Sequence, residues 1–144
     1  MDPGAVQAGL DSCAAVLTQA QPGMNIVVTA GRRGAYAYAD GIWDHCPALT
    51  APVARTAGAG DALLGGVVAC LAAGVPLACP GWRRAESGDE ALKTALDFGV
   101  LLAAFSVTSP HTIHPKANLG APRSFAADRG LRFGAALQSV VGCS

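Results

Sequence analysis

The sequence predicts an α/β fold: a three-layer domain with helices packed on a parallel sheet, carrying one β-hairpin. Three observations support this. The run MNIVVTA (24–30) is short, β-branched and without polar alternation, as expected of a strand covered on both faces in a parallel sheet. Stretches with helical spacing of apolar residues stand before and after it. Between them AYAYADGIWDHC (35–46) alternates with period two around Asp40-Gly41, a dipeptide that accepts the positive φ of a tight hairpin turn.

In chain order, Val6, Leu10, Cys13, Ala14 and Leu17 predict a first helix over 5–19, stopped by QPG at 21–23. Pro47 and Pro52 bracket a connector poor in polar residues. A second helix is expected over 58–73, ended by Gly74-Val-Pro76, and its apolar residues on nearly every side predict a buried helix. Gly65 and Gly66 inside it each cost about 1 kcal/mol relative to alanine, which points to a close approach, read as a helix-to-sheet contact. CPGWRRAESGD (79–89) reads as a loop, and 90–107 as a third helix with Leu92, Ala95, Leu96, Gly99, Leu102, Ala103 and Ser106 on one side. SPHTIHP cannot stay helical between prolines. The segment 118–144 reads as a turn-rich tail, poorly ordered at first, with a short helix over 131–141.

Composition narrows the function classes. The 144 residues suffice for one core, and a formal net charge of +0 supplies no long-range field for nucleic acid or an anionic membrane. Charged residues make up 14%, against roughly 25% in ordinary soluble domains, so part of the surface is expected to be covered by protein. No apolar run reaches the roughly 18 residues that span a bilayer, and Asp2 stands where an export signal carries basic residues. Five cysteines without a C-x-x-C pair argue against a disulfide framework or thiolate metal site and fit a reducing cytoplasm.

The chemistry concentrates in RTAGAGDALLGG (55–66). A helix starting near Gly58 offers N–H groups without intrahelical partners and the positive end of its dipole. Gly58 and Gly60 let the backbone approach an anion, and Ala59 intrudes only by a methyl. The pattern is neither a Walker A loop nor, with Leu63 at the third glycine position, a dinucleotide fingerprint. Asp61 has two readings: an acid gaining about 0.3 to 1 kcal/mol at a helix start, or a base accepting the proton of a hydroxyl that attacks a phosphoryl group held beside it.

VVTAGRRGA followed by TAGAGDALLGG, in that order and separation, and then SVTSPHTIHP, resembles the C-terminal signatures of the ribokinase-like, or phosphofructokinase-B-type, carbohydrate kinases. The resemblance spans about residues 5–117 and implies the C-terminal half of a Rossmann-like kinase fold, with the sugar contacts, lid strands and N-x-x-E motif linked to Mg²⁺ lying elsewhere. It implies transfer of the γ-phosphoryl group of ATP to a sugar or nucleoside hydroxyl. Asp61 would be the base, Gly58, Ala59 and Gly60 the anion hole, and Thr29, Gly31 and Gly34 residues of the nucleotide site. The end of the third helix looks most like that of pseudouridine and related nucleoside kinases.

Three positions depart from the family pattern. Arg55 replaces an aspartate associated with the monovalent-cation site, so K⁺ activation is not implied; Ala57 replaces a threonine; Val100 stands near an asparagine that faces adenine. The N-x-x-E motif is absent from the chain. A lone C-terminal half is expected to bind nucleotide weakly, to turn over no sugar, and to pair with itself or with a complementing N-terminal chain, or to persist as a non-catalytic remnant.

Other candidates carry less. His111 and His114 at i, i+3 in an extended segment do not share a face, so no metal site is expected there. His45 reads as a half-exposed hairpin residue without a catalytic role, Arg32 and Arg33 as solvated loop charges, Tyr36 and Tyr38 as packing residues of one strand face, and Trp82, Arg83 and Arg84 as loop residues.

Overall fold

The computed structural model of the chain describes residues 2–79, 91–111, 113–115, 118 and 120–141. Trp82, Arg83, Arg84, most of the expected loop and Cys143 lie outside the described residues.

Helix α1 (Pro3–Ala20) begins with proline at a position whose missing N–H costs nothing, and Gly23 at φ +76° turns the chain after it. Strand β1 (Ile26–Thr29), a 3₁₀ turn (Gly31–Arg33), β2 (Ala35–Ala39) and β3 (Ile42–Cys46) follow. The hairpin forms as expected: Asp40 and Gly41 both take positive φ, 52° and 81°, and the register pairs Tyr38 with Trp43 and Ala37 with Asp44.

Strand β1 differs from its expectation. It pairs antiparallel with β2, making a meander β1-β2-β3, and only Ile26 is buried while Thr29 is exposed. A strand with one neighbour at an edge needs no cover on both faces; the apolar run alone does not distinguish the two cases.

The sheet has unlike faces. On one, Ala35 and Ala37 are completely buried beneath a helix that their small side chains let come close. On the other, Tyr36 stacks on His45 at 4.4 Å and Tyr38 meets Trp43 at 5.1 Å, so the tyrosines pack as expected. Val6 and Leu10 of α1 line a shallow groove with Val28 and Tyr36 of that face. His45 Nε2 lies 2.7 Å from the Arg33 carbonyl oxygen and helps fix the 3₁₀ turn.

Helix α2 (Ala59–Ala72) packs along α3 (Ala95–Ser106), which lies between α2 and the sheet. The third helix starts later than 90 because Thr94 and Asp97 form a reciprocal capping box: the Asp97 N–H donates to Thr94 Oγ1 and the Thr94 N–H to Asp97 Oδ2, each at 3.1 Å. Ahead of it, β4 (Ala91–Leu92) pairs in parallel with β5 (Arg132–Phe133). The two central helices reverse their expected burial. Every residue of α3 from Ala95 to Leu101 is buried, whereas α2 exposes Leu64, Val68 and Leu71, a stripe at i, i+4 and i+7. Hydrophobicity around a helix shows what could be covered, not what covers it.

Gly66 marks the crossing. A Cβ there would sit 2.9 Å from Leu102 Cδ1, and one at Gly99 would sit 2.7 Å from Val67 Cγ2 and 2.8 Å from the Leu63 carbonyl oxygen. The close contact is helix to helix rather than helix to sheet, and Gly65 faces open space.

The short helix expected over 131–141 forms as α5 (Ala135–Val141), whereas the stretch before it, expected to be turn-rich and poorly ordered, folds into α4 (Ala121–Ala127) and β5. Phe125, Ala126 and Leu137 enter the core, and the Arg129 guanidinium covers the Phe125 ring at 3.6 Å. The seven residues of α4 are too few for a helix periodicity to stand out among glycine and proline.

Candidate active site

Four of the residues expected to act together sit on one turn. Gly58 is the N-cap of α2 at φ +89°, ψ −8°, a left-handed conformation that favours glycine, and this bend turns the connector into the helix. The Ala59 N–H donates back to the Thr56 carbonyl at 3.3 Å, and the first i−4 bond of the helix runs from the Ala62 N–H to the Gly58 carbonyl at 2.9 Å. Between them, the N–H groups of Gly60 and Asp61 have no backbone partner among the described residues. Outside its own turn of helix, no atom lies within 4 Å of where a Gly60 Cβ would stand. The turn therefore presents amides, the positive end of a 14-residue helix and an open approach, which together suit an anion.

Asp61 is exposed in the first turn of that helix, within one residue of these amides. Its carboxylate can stabilise the helix start, and from the same place it can take a proton from a group arriving at the anion's edge. Arg55, Thr56 and Ala57 are exposed as well.

The turn is anchored from below by the end of α3. The N–H groups of Ala54 and Arg55 donate to the Val107 carbonyl at 2.7 and 3.3 Å, and Arg55 Nη1 donates to the Pro110 carbonyl at 3.4 Å. The loop after α3 is held in turn by His114, which stacks on Phe105 at 4.1 Å with Nε2 3.1 Å from Thr108 Oγ1. Sequence reading missed this brace, because carbonyl groups that receive a distant connector leave no mark on residue type.

Thr29, Gly31 and Gly34 lie around the turn after β1. Thr29 and Gly31 are exposed, and Gly31 takes φ +54°. Gly34 is buried at φ +92°; a Cβ on it would lie 2.0 Å from the Cys46 carbonyl oxygen and 2.6 Å from the Ala48 nitrogen. Its packing against the start of the connector accounts for the glycine without a ligand. Both turns hang on the one connector, whose first residues enclose Gly34 and whose last lead into Gly58.

Val100 is buried at 3% exposure, so its side chain cannot meet a base. Burial pushes the Cys70 thiol up to about 11, leaving it an inert core group. Among the described residues, no group of three or more His, Cys, Asp or Glu could hold a metal, and no helix is long and apolar enough to cross a membrane. His114 packs on Phe105 and braces the loop, while His111 is exposed.

No curated protein sequence matches the chain. Solved structures do. Ribokinase from Thermotoga maritima aligns with a TM-score of 0.51 at 22% identity, covering 72% of this chain and 30% of that one. Aminoimidazole riboside kinase from Salmonella enterica, solved with aminoimidazole riboside and an ATP analogue, aligns with a TM-score of 0.52 at 22% identity, covering 70% and 31%. The chain thus spans about 30% of the length of each kinase whose fold it shares. The profile of the pfkB family of carbohydrate kinases matches residues 5–118, which takes in the hairpin, the Gly58–Asp61 turn and both central helices, and by that match the chain belongs to this family.

Proposed function

We propose that this chain carries the phosphoryl-transfer end of an ATP-dependent kinase acting on a sugar or nucleoside hydroxyl. The observation that supports it most is the turn at 58–61: amides without backbone partners beside an exposed carboxylate, at the positive end of a helix. In this reading the turn of Gly58, Ala59 and Gly60 holds the phosphates of ATP through the amides of Gly60 and Asp61, the Ala59 N–H being taken by the Thr56 carbonyl, and Asp61 accepts the proton of the attacking hydroxyl as its oxygen bonds to the γ-phosphorus and the bond to ADP breaks. Thr29 and Gly31 contribute to the nucleotide site, with Gly34 holding their turn in place. ATP supplies the phosphoryl group; the protein orients it and keeps a proton acceptor at the right edge.

Mg²⁺ is different. Among the described residues no group of three or more His, Cys, Asp or Glu could hold it, and the sequence contains no N-x-x-E motif, so in this reading its ligands are supplied chiefly by the phosphates of ATP and by water. A monovalent cation fits poorly too, since the Arg55 guanidinium already donates to the Pro110 carbonyl beside the site. We place the reaction in the cytoplasm, with nucleotide and a small hydroxylated substrate as partners.

A second reading has its own support: a non-catalytic nucleotide-binding or interaction remnant that needs an N-terminal partner or a second copy. Arg55, Thr56, Ala57, Gly60 and Asp61 are all exposed, while phosphoryl transfer requires water to be excluded. The exposed stripe on α2 suits a covering surface. Joining this chain to the N-terminal portion of a kinase of the family separates the two readings. Turnover that depends on Asp61 supports the first; ATP binding without turnover supports the second.

A further inference from the structure

We propose that the groove between β4, β5 and α4 binds a phosphate monoester or inorganic phosphate, at a place apart from the α2 turn. The groove encloses about 510 Å³ and is lined by Lys93, Arg123, Arg132, Phe133, Gly134 and Gln138, with no acidic side chain among its described lining residues. That volume lies within the roughly 300 to 1,000 Å³ usual for small-molecule sites.

The three cations come from separate parts of the chain: Lys93 from the link between β4 and α3, Arg123 from α4 and Arg132 from β5. Only the fold brings them together. The whole chain has no net charge, so three of its ten basic residues facing one groove is a local arrangement and not the consequence of a basic protein. Neither the Lys93 ammonium nor the Arg123 guanidinium has a hydrogen-bond or ion-pair partner among the described residues.

The floor is specific as well. Gly134 donates its N–H to the Leu92 carbonyl at 2.7 Å, closing the parallel pair, and a Cβ on it would stand 3.2 Å from Lys93 Cγ. The bare backbone at 134 thus gives the Lys93 stem room to lie along the floor. Gln138 Nε2 donates to the Phe133 carbonyl at 3.0 Å and ties α5 to the same wall. Guanidinium forks and a lysine point charge together suit an oxyanion with several acceptor oxygens. Lys93 lies within the 5–118 that match the family, whereas Arg123, Arg132, Phe133, Gly134 and Gln138 lie beyond it.

The test is a two-dimensional ¹⁵N NMR titration of the full chain with inorganic phosphate, with ribose 5-phosphate, and with chloride at matched ionic strength. Saturable shifts at the amides of Lys93, Phe133 and Gly134 with either phosphate but not chloride are expected, and the tighter of the two names the source. Lys93→Met with Arg123→Gln should weaken that binding at least about tenfold. Shifts that fail to saturate, that chloride reproduces, or that survive the double substitution would overturn the proposal. Should the double variant lose its spectral dispersion, the wild-type comparison of phosphate with chloride decides alone.

Discussion

The first turn of α2 and its middle use the same small residues for opposite ends. At Gly58 and Gly60 the missing side chains keep space open: one glycine makes a left-handed bend and the other faces no atom within 4 Å outside its own turn of helix. At Gly66, and at Gly99 opposite it, they allow two helices to touch, with atoms of the facing helix where a Cβ would go. The middle is therefore stiff and the end accessible. A rigid helix aiming unpaired amides outward is what an anion site requires, because the donors then need little reorganisation when the ligand arrives. Gly65, next to Gly66, serves neither purpose and is a built-in control.

The comparison can be broken at either end, and the largest effect is expected at the open one. Asp61→Asn, in the chain joined to an N-terminal kinase portion, should lower kcat about 10² to 10⁴-fold while leaving ATP affinity equal or slightly tighter, since a negative charge beside the phosphates is removed. Steady-state kinetics with a parallel calorimetric titration checks both halves. Loss of ATP binding in step with turnover would mean that Asp61 holds the turn rather than the proton.

At the closed end, Gly99→Ala should destabilise the fold by about 1 to 3 kcal/mol in urea unfolding, because its Cβ meets the Leu63 carbonyl, which cannot swing aside. The gain in helix propensity of about 1 kcal/mol only partly offsets this. Gly65→Ala sharpens the contrast: with nothing within 4 Å, the same change should stabilise by up to about 1 kcal/mol. Equal effects at 65 and 99 would remove the close helix crossing from the account.

Cys70, on the buried side of α2, gives a pH test of the same packing. Burial holds its folded pKa at about 11, above the 9.0 of a free thiol, so its contribution is complete below pH 9 and is lost as pH rises toward 11. Stability should fall by about 1 kcal/mol by pH 10, and Cys70→Ala should abolish that part of the slope. A slope unchanged by the substitution would show the thiol open to water.

Local chemistry could be read from the sequence and coverage could not. Asp40-Gly41 determined the hairpin, and Gly58-Ala59-Gly60-Asp61 determined where a helix would begin and what its end would offer, because each depends on residues within one turn. The capping signal Thr94-Ala-Leu-Asp97 was equally local and would have placed the start of α3 correctly. By contrast, the neighbour of β1, the exposed stripe of α2 and the unbroken burial of α3 from Ala95 to Leu101 depend on which surfaces meet, and an apolar run is the same in either case. The Val107 and Pro110 carbonyls that brace the connector belong to that second class, since every residue carries such a group.

The most direct test of the central claim maps ATP onto the amides of this chain. With ATP and Mg²⁺ added to the ¹⁵N-labelled protein, Gly58, Gly60 and Asp61 should show saturable shifts, and Gly58→Val should abolish them while Gly65 is unaffected. Saturable ATP binding that leaves the 58–61 amides unmoved would contradict the account, because the phosphates would then be held by something other than the open end of α2.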